Sequence, residues 1–92
     1  MGVGRRALAD VLGVLESEGR VVRVAPDLWF ARSAVDEARG RLELHCRAHG
    51  EITAAVFRDL IGASRKFSIV LLDWFDRSGV TIRIGDLRRL RR

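Results

Sequence analysis

The run Ala63-Ser64-Arg65-Lys66-Phe67 opens an amphipathic helix, and beyond the Gly79 that ends this helix comes Val80-Thr81-Ile82-Arg83-Ile84-Gly85-Asp86. The first segment sets a hydroxyl and two cations in the first turn of a helix, where free backbone N–H groups and the helix dipole already favour an anion. The second alternates apolar and polar residues up to a Gly-Asp pair, the pattern of a strand entering a two-residue hairpin turn. Together they read as a recognition helix followed by a basic β-hairpin wing. Such a pair grips phosphates at two points while a side chain reaches a base.

Working outward, Thr53 is placed to cap a helix carrying Val56, Phe57, Leu60 and Ile61, which Gly62 ends. After the tight Gly62-Ala63 link, Ser64 caps the next helix, in which Phe67, Val70, Leu71, Trp74 and Phe75 form an apolar stripe. Two helices joined by a short Gly-containing turn make a helix-turn-helix. Upstream, Ser33 with Asp36 three residues on has a capping-box pattern, opening a helix whose Val35, Ala38, Leu42 and Cys46 share one face up to Gly50. Glu51-Ile52-Thr53 suffices only for a short strand, and strands at 80–84 and 87–90 close the chain. Helix, strand, helix, turn, helix, hairpin over residues 33–92 is the order of a winged helix, an α+β fold that is mainly α with small β-sheets.

Residues 1–32 carry one more helix and hairpin. Leu8, Val11, Leu12 and Leu15 recur at helical spacing over residues 6–18, Gly19 is a stop, and strands at 20–24 and 28–31 flank Ala25-Pro26-Asp27. This unit repeats at a constant offset of 60 residues: Leu15 matches Phe75, Gly19 matches Gly79, Val22 matches Ile82, Arg23 matches Arg83 and Val24 matches Ile84. The repeat predicts tandem winged helices, with residues 1–32 supplying the last helix and wing of a preceding module and residues 33–92 a complete C-terminal one.

Composition narrows the function. The 92 residues carry 17 basic and 12 acidic side chains, net +5, and all the basic ones but Lys66 are Arg, which pairs with phosphate in two-pronged fashion and stacks on exposed bases. Five of them, Arg83, Arg88, Arg89, Arg91 and Arg92, fall in the last ten residues, extending a positive surface from the wing. A single cysteine excludes an internal disulfide framework and suits a reducing compartment. Neither a membrane-length apolar run nor the apolar segment of a signal peptide is present, so a cytoplasmic location is expected, with no membrane partner.

Catalysis finds no support: no nucleophile-base pair, phosphate-cradling Gly loop or acid pair stands out. His45, Cys46 and His49 share a helical face at metal-ligand spacing, but no second Cys/His cluster completes four ligands, and Ala38 and Leu42 lie on the same face. They read as core or half-buried residues, with no metal and no cofactor. Trp29, Phe30, Trp74 and Phe75 read as core aromatics, Trp29 with the option of packing between modules.

The run from Ala54 to Phe67, with Phe57-Arg58-Asp59 and Ser64-Arg65-Lys66-Phe67, resembles the C-terminal winged-helix region of the bacterial selenocysteine-specific elongation factors, the SelB family. So does the run from Leu72 to Asp86, with Gly79-Val80-Thr81, Arg83 and Gly85-Asp86. Residues 18–30 look like the end of the preceding domain in that family. The resemblance implies RNA contact at Ser64, Arg65, Lys66, Arg83 and Gly85, to which the basic returning strand adds Arg88. Phe67 stands where the family usually has an aromatic residue and is read as core. The implied ligand is the selenocysteine insertion (SECIS) hairpin of messenger RNA, bound in support of selenocysteine incorporation at UGA codons. Ribosome and selenocysteinyl-tRNA would be engaged, and GTP bound and hydrolysed, by parts of a longer parent upstream of this segment. Two other readings stay open: a DNA-binding transcription regulator, disfavoured because Ile69 and Leu72 rather than Asn, Gln and Arg flank Arg65 on the outward face, and a protein-interaction winged helix that buries Ile69 and Leu72 in a partner.

Overall fold

The computed structural model describes residues 5–91, with side chains described from residue 10 onward. The chain runs α1 (Arg5–Ser17), β1 (Val21–Ala25), β2 (Leu28–Ala31), α2 (Arg32–His49), β3 (Ile52–Thr53), α3 (Ala54–Ile61), α4 (Arg65–Arg77), β4 (Thr81–Ile84) and β5 (Leu87–Leu90). β1 and β2 form one antiparallel hairpin, while β3, β5 and β4 form a three-stranded sheet in that order. The expected winged helix is thus present from α2 to β5. No described helix is long and apolar enough to cross a membrane.

Local chemistry explains most of the boundaries. The Thr53 hydroxyl accepts from the Val56 N–H at 3.2 Å, and that of Ser64 accepts from the Phe67 N–H at 3.3 Å, each satisfying a donor that the first turn of a helix leaves free. Gly50 and Gly62 end α2 and α3 at φ 83° and 66°, a left-handed conformation that any side chain strains. Ser33 does not cap α2. That helix starts at Arg32 with Ala31 as its N-cap and no side-chain cap. The Arg32 N–H instead donates to the Arg20 carbonyl at 2.9 Å, a continuation of the β1–β2 ladder that already occupies one of the helix's free donors.

The two helix-hairpin units match hydrogen bond for hydrogen bond. Glu18→Val14, Gly19→Glu16 and Arg20→Leu15 after α1 correspond to Ser78→Trp74, Gly79→Asp76 and Val80→Phe75 after α4, and Arg32→Arg20 corresponds to Arg91→Val80. Gly19 and Gly79 share φ values of 75° and 81°. Recurrence of the sequence pattern at 60 residues is therefore recurrence of a backbone structure.

One core serves both parts. Val24, Leu42, Ile52, Phe57, Leu72 and Phe75 are at most 1% exposed, and the rings of Phe57 and Phe75 meet edge to face at 6.2 Å. Each such side chain contributes roughly 1.5–3 kcal/mol by leaving water. Val24 belongs to the first hairpin, and its carbonyl accepts from Arg77 of α4 at 2.7 Å, so the β1–β2 hairpin is packed into the C-terminal module. The apolar stripe expected on α4 is divided accordingly. Ser68, Leu71, Leu72 and Phe75 are its buried face, whereas Phe67, 37% exposed, lies to the side and meets Phe30 of β2 edge to face at 5.7 Å. Phe67 is thus not core, because α4 packs against α3, the wing and the first hairpin, and its apolar arc is shared among them. Val11 and Val14 of α1 remain more than half exposed.

Candidate nucleic-acid interface

The first turn of α4 carries no acidic residue, and Ser64, Arg65 and Lys66 are all exposed there. The Ser64 oxygen is engaged as the cap, which fixes the turn, and its own carbonyl accepts from the Ser68 hydroxyl at 2.8 Å. Arg65 borders a crevice of about 260 Å³ between α3 and α4, lined by Ala54, Ala55, Arg58, Ser68 and Ile69. Two alanines and a serine keep it open, and a guanidinium stands on each helix. Arg58 was not singled out by the sequence. Its signal was the pair of alanines three and four residues before it, which leave one face of α3 without bulk.

The wing reaches the same surface through β3. Ile52 and Thr53 pair with Arg88 and Leu87 near the hairpin tip, and Thr53 in turn caps α3, whose first turns line the crevice. Wing tip, start of α3 and start of α4 are therefore consecutive neighbours. Arg83 is exposed beside the two-residue turn at Gly85 (φ 61°) and Asp86, and its Nε donates to the Gly85 carbonyl at 3.1 Å. That bond holds the guanidinium over its own turn.

Arg88 is a correction. It lies directly opposite Arg83 in the ladder, yet it is only 5% exposed. Its Nη2 donates to Asp73 at 3.2 Å and its Nε to Asp76 at 3.4 Å, and Asp76 also accepts from the Thr81 hydroxyl at 2.5 Å. A guanidinium held this way between two carboxylates, and almost wholly buried, binds the wing to α4 and is not presented to RNA. Arg89 is exposed, but alternation along β5 turns it to the other face of the sheet. Leu72 is also corrected: it is fully buried, so the outward apolar pair that weighed on the alternative readings reduces to Ile69, which is 37% exposed.

Cys46 is buried in the core, and desolvation pushes its thiol above the ordinary value. His45 is half-buried as expected, but His49 at the end of α2 is exposed, and the two rings lie 4.4 Å apart, tilted by 34°.

Helix-turn-helix, three-stranded sheet and protruding hairpin define a winged-helix domain. Residues 44–90 match the family model described as elongation factor SelB, winged helix. The chain belongs to that family. It is 33% identical over 91 residues to the selenocysteine-specific elongation factor of Desulfomicrobium baculatum, covering 99% of this chain and 14% of that protein. The corresponding factor of Escherichia coli K12 is 29% identical over 90 residues, covering 98% and 15%. The chain thus spans about one seventh of the length of these relatives. Among solved structures, the mRNA-binding domain of E. coli elongation factor SelB in complex with SECIS RNA superimposes with a TM-score of 0.90 at 28% identity, covering 99% of this chain and 75% of that one. A bacterial selenocysteine-specific elongation factor EF-Sec shares the fold, with a TM-score of 0.79 at 21% identity over 91% of this chain and 14% of that one.

Proposed function

We propose that this domain holds the selenocysteine insertion hairpin of a messenger RNA, as the C-terminal part of a longer factor that delivers selenocysteinyl-tRNA to the ribosome at UGA. The observation that carries the reading is the acid-free first turn of α4, with Ser64, Arg65 and Lys66 exposed beside a crevice that Arg58 also borders. The likeness to a domain solved with SECIS RNA supports it.

A-form RNA hides its base edges in a narrow groove, so a small reader seeks unstacked loop bases and grips the stem by its phosphates. In this reading Arg65 and the crevice take a loop base, with Arg58 on the far wall. Lys66 and the α4 N-terminus bind phosphate, while Arg83 and the Gly85 turn hold the backbone from the wing. Residues 1–32 are the end of a preceding winged helix. The segment itself performs no chemistry and needs no cofactor or metal; GTP binding and hydrolysis belong to the parent protein, which acts in the cytoplasm.

Competition among the cognate RNA hairpin, a base-paired DNA of the same sequence and a loop-scrambled hairpin tests this. Preference for the cognate hairpin supports it; equal or tighter binding of the DNA duplex makes this a DNA-binding domain instead.

A further inference from the structure

The wing has a second face. Alternation along the hairpin turns Thr81 and Arg88 toward α4 and puts Ile82, Ile84 and Arg89 on the opposite side. There, between the wing and the C-terminal turn of α2, lies a groove of about 900 Å³. Cys46 lines its inner part, and Ile82 and Ile84, 45% and 52% exposed, form its wall. β4 is the outer strand of its sheet, so among the described residues the backbone donors and acceptors on its free side lack a strand partner.

The charges on this groove have one sign. Among the described residues, Arg47, Arg89 and Arg91 line it and no acidic side chain does. The carboxylate nearest Arg47 is Glu43, 3.5 Å away, and the Arg47 side chain is still 71% exposed. Two isoleucines at alternate positions of an open strand are what the side chains of an added strand pack on. A nucleic-acid strand would use the arrangement poorly, since it has no backbone N–H to pair with the β4 edge and finds no aromatic platform for its bases.

We propose that this groove docks an extended acidic protein segment, which adds to β4 as a further strand and turns one side to the groove, with apolar side chains over Ile82 and Ile84 and carboxylates at other positions of that same side against Arg47, Arg89 and Arg91. The groove faces away from α4, so the segment and an RNA hairpin bind together.

The test is a titration of the methyl-labelled 92-residue chain, followed by nuclear magnetic resonance, with a short peptide in which threonine alternates with residues that are in turn valine and glutamate, so that one face of the extended peptide carries both. The Ile82 and Ile84 methyls should shift, and a peptide with lysine in place of glutamate should leave them unmoved. Arg89→Glu should weaken the acidic peptide by about fivefold, the upper end for an exposed ion pair, while leaving affinity for the RNA hairpin within about twofold. Ile84→Ser should weaken the peptide without changing Tm, because the side chain is exposed. Unmoved methyls with the acidic peptide, or equal shifts with both peptides, would overturn the proposal. So would an RNA duplex that shifts these methyls and displaces the peptide, which would make the groove a nucleic-acid surface.

Discussion

Arg88 of the wing and Asp76 of the recognition helix form a largely buried ion pair, Nε to Oδ2 at 3.4 Å, with the same carboxylate accepting from Thr81 and the same guanidinium reaching Asp73. The wing's position relative to α4 is thereby set by charge as well as by packing. The Arg88 side chain is 6% exposed while Asp73 is 52% exposed, so the Asp73 contact is screened by water and the Asp76 contact carries most of the effect.

Arg88→Ala leaves the Asp76 carboxylate with the Thr81 hydroxyl alone and should lower stability by about 2–3 kcal/mol, in the range for a broken hydrogen bond to a charged, part-buried group. Arg88→Lys, with one point charge in place of a fork, should lose less. Neither change touches a phosphate contact. With Lys66 and Arg83 as the phosphate contacts, log affinity for the RNA hairpin against log salt should have a slope of about −1.4, and Arg88→Lys should leave that slope in place; a third phosphate contact at Arg88 would give about −2. Thermal melts and binding at several salt concentrations check both statements.

Ser64 separates folding from binding. Ser64→Ala removes the cap and should reduce stability by about 1 kcal/mol. Ser64→Asp keeps a capping oxygen and suits the helix dipole, so it should melt near the wild-type temperature, while its negative charge, set where phosphate is to sit, weakens the RNA hairpin more than Ser64→Ala does. Equal RNA affinity for the Asp and Ala variants would place the phosphate elsewhere.

Burial holds the Cys46 thiol in its neutral form, with its pKa raised. The folded chain therefore keeps this proton more tightly than the unfolded chain. The associated stability is complete below the ordinary thiol pKa of about 8.5 and is lost as pH rises through that value toward the folded one. Unfolding measured from neutral to alkaline pH should show this decline, and Cys46→Ala should flatten it. At neutral pH, alkylation of Cys46 should proceed only as fast as the domain opens.

Much of the architecture was legible because local chemistry fixed it. The Thr53 and Ser64 hydroxyls cap the helices they precede, and Gly19, Gly50, Gly62 and Gly79 all take positive φ where a helix ends. What escaped depended on contacts between elements. The burial of Arg88 needs Asp73 and Asp76 beside it, 15 and 12 residues away on another element, and nothing in the run Leu87-Arg88-Arg89 separates the buried arginine from the exposed one. Phe67 turned aside because the first hairpin offers it Phe30, a partner the periodicity of α4 does not reveal. Ser33 lost the cap position because the helix starts at Arg32, whose N–H donates to the Arg20 carbonyl, and Arg58 gained a place at the crevice only once α3 was laid against α4.

The shared core makes a prediction of its own. Val24 is fully buried although it belongs to the first hairpin. Val24→Ala should lower the stability of the whole described chain by about 1–3 kcal/mol, in line with other truncations in closed cores. Calorimetry should show one transition for wild type and variant alike; two separable transitions would mean that the hairpin folds independently.

The central claim, that α4 reads a base while the wing grips backbone, is tested most directly by the affinities of Arg65→Ala and Arg83→Ala for the cognate hairpin and a loop-scrambled one. Arg65→Ala should lose about 1–3 kcal/mol on the cognate hairpin and most of its preference over the scrambled one. Arg83→Ala should weaken both hairpins by similar factors and reduce the salt slope by about one contact. Loss of discrimination in Arg83→Ala with discrimination intact in Arg65→Ala would contradict the assignment by making the wing the reader, and unchanged affinities in both variants would move the RNA surface off these residues altogether.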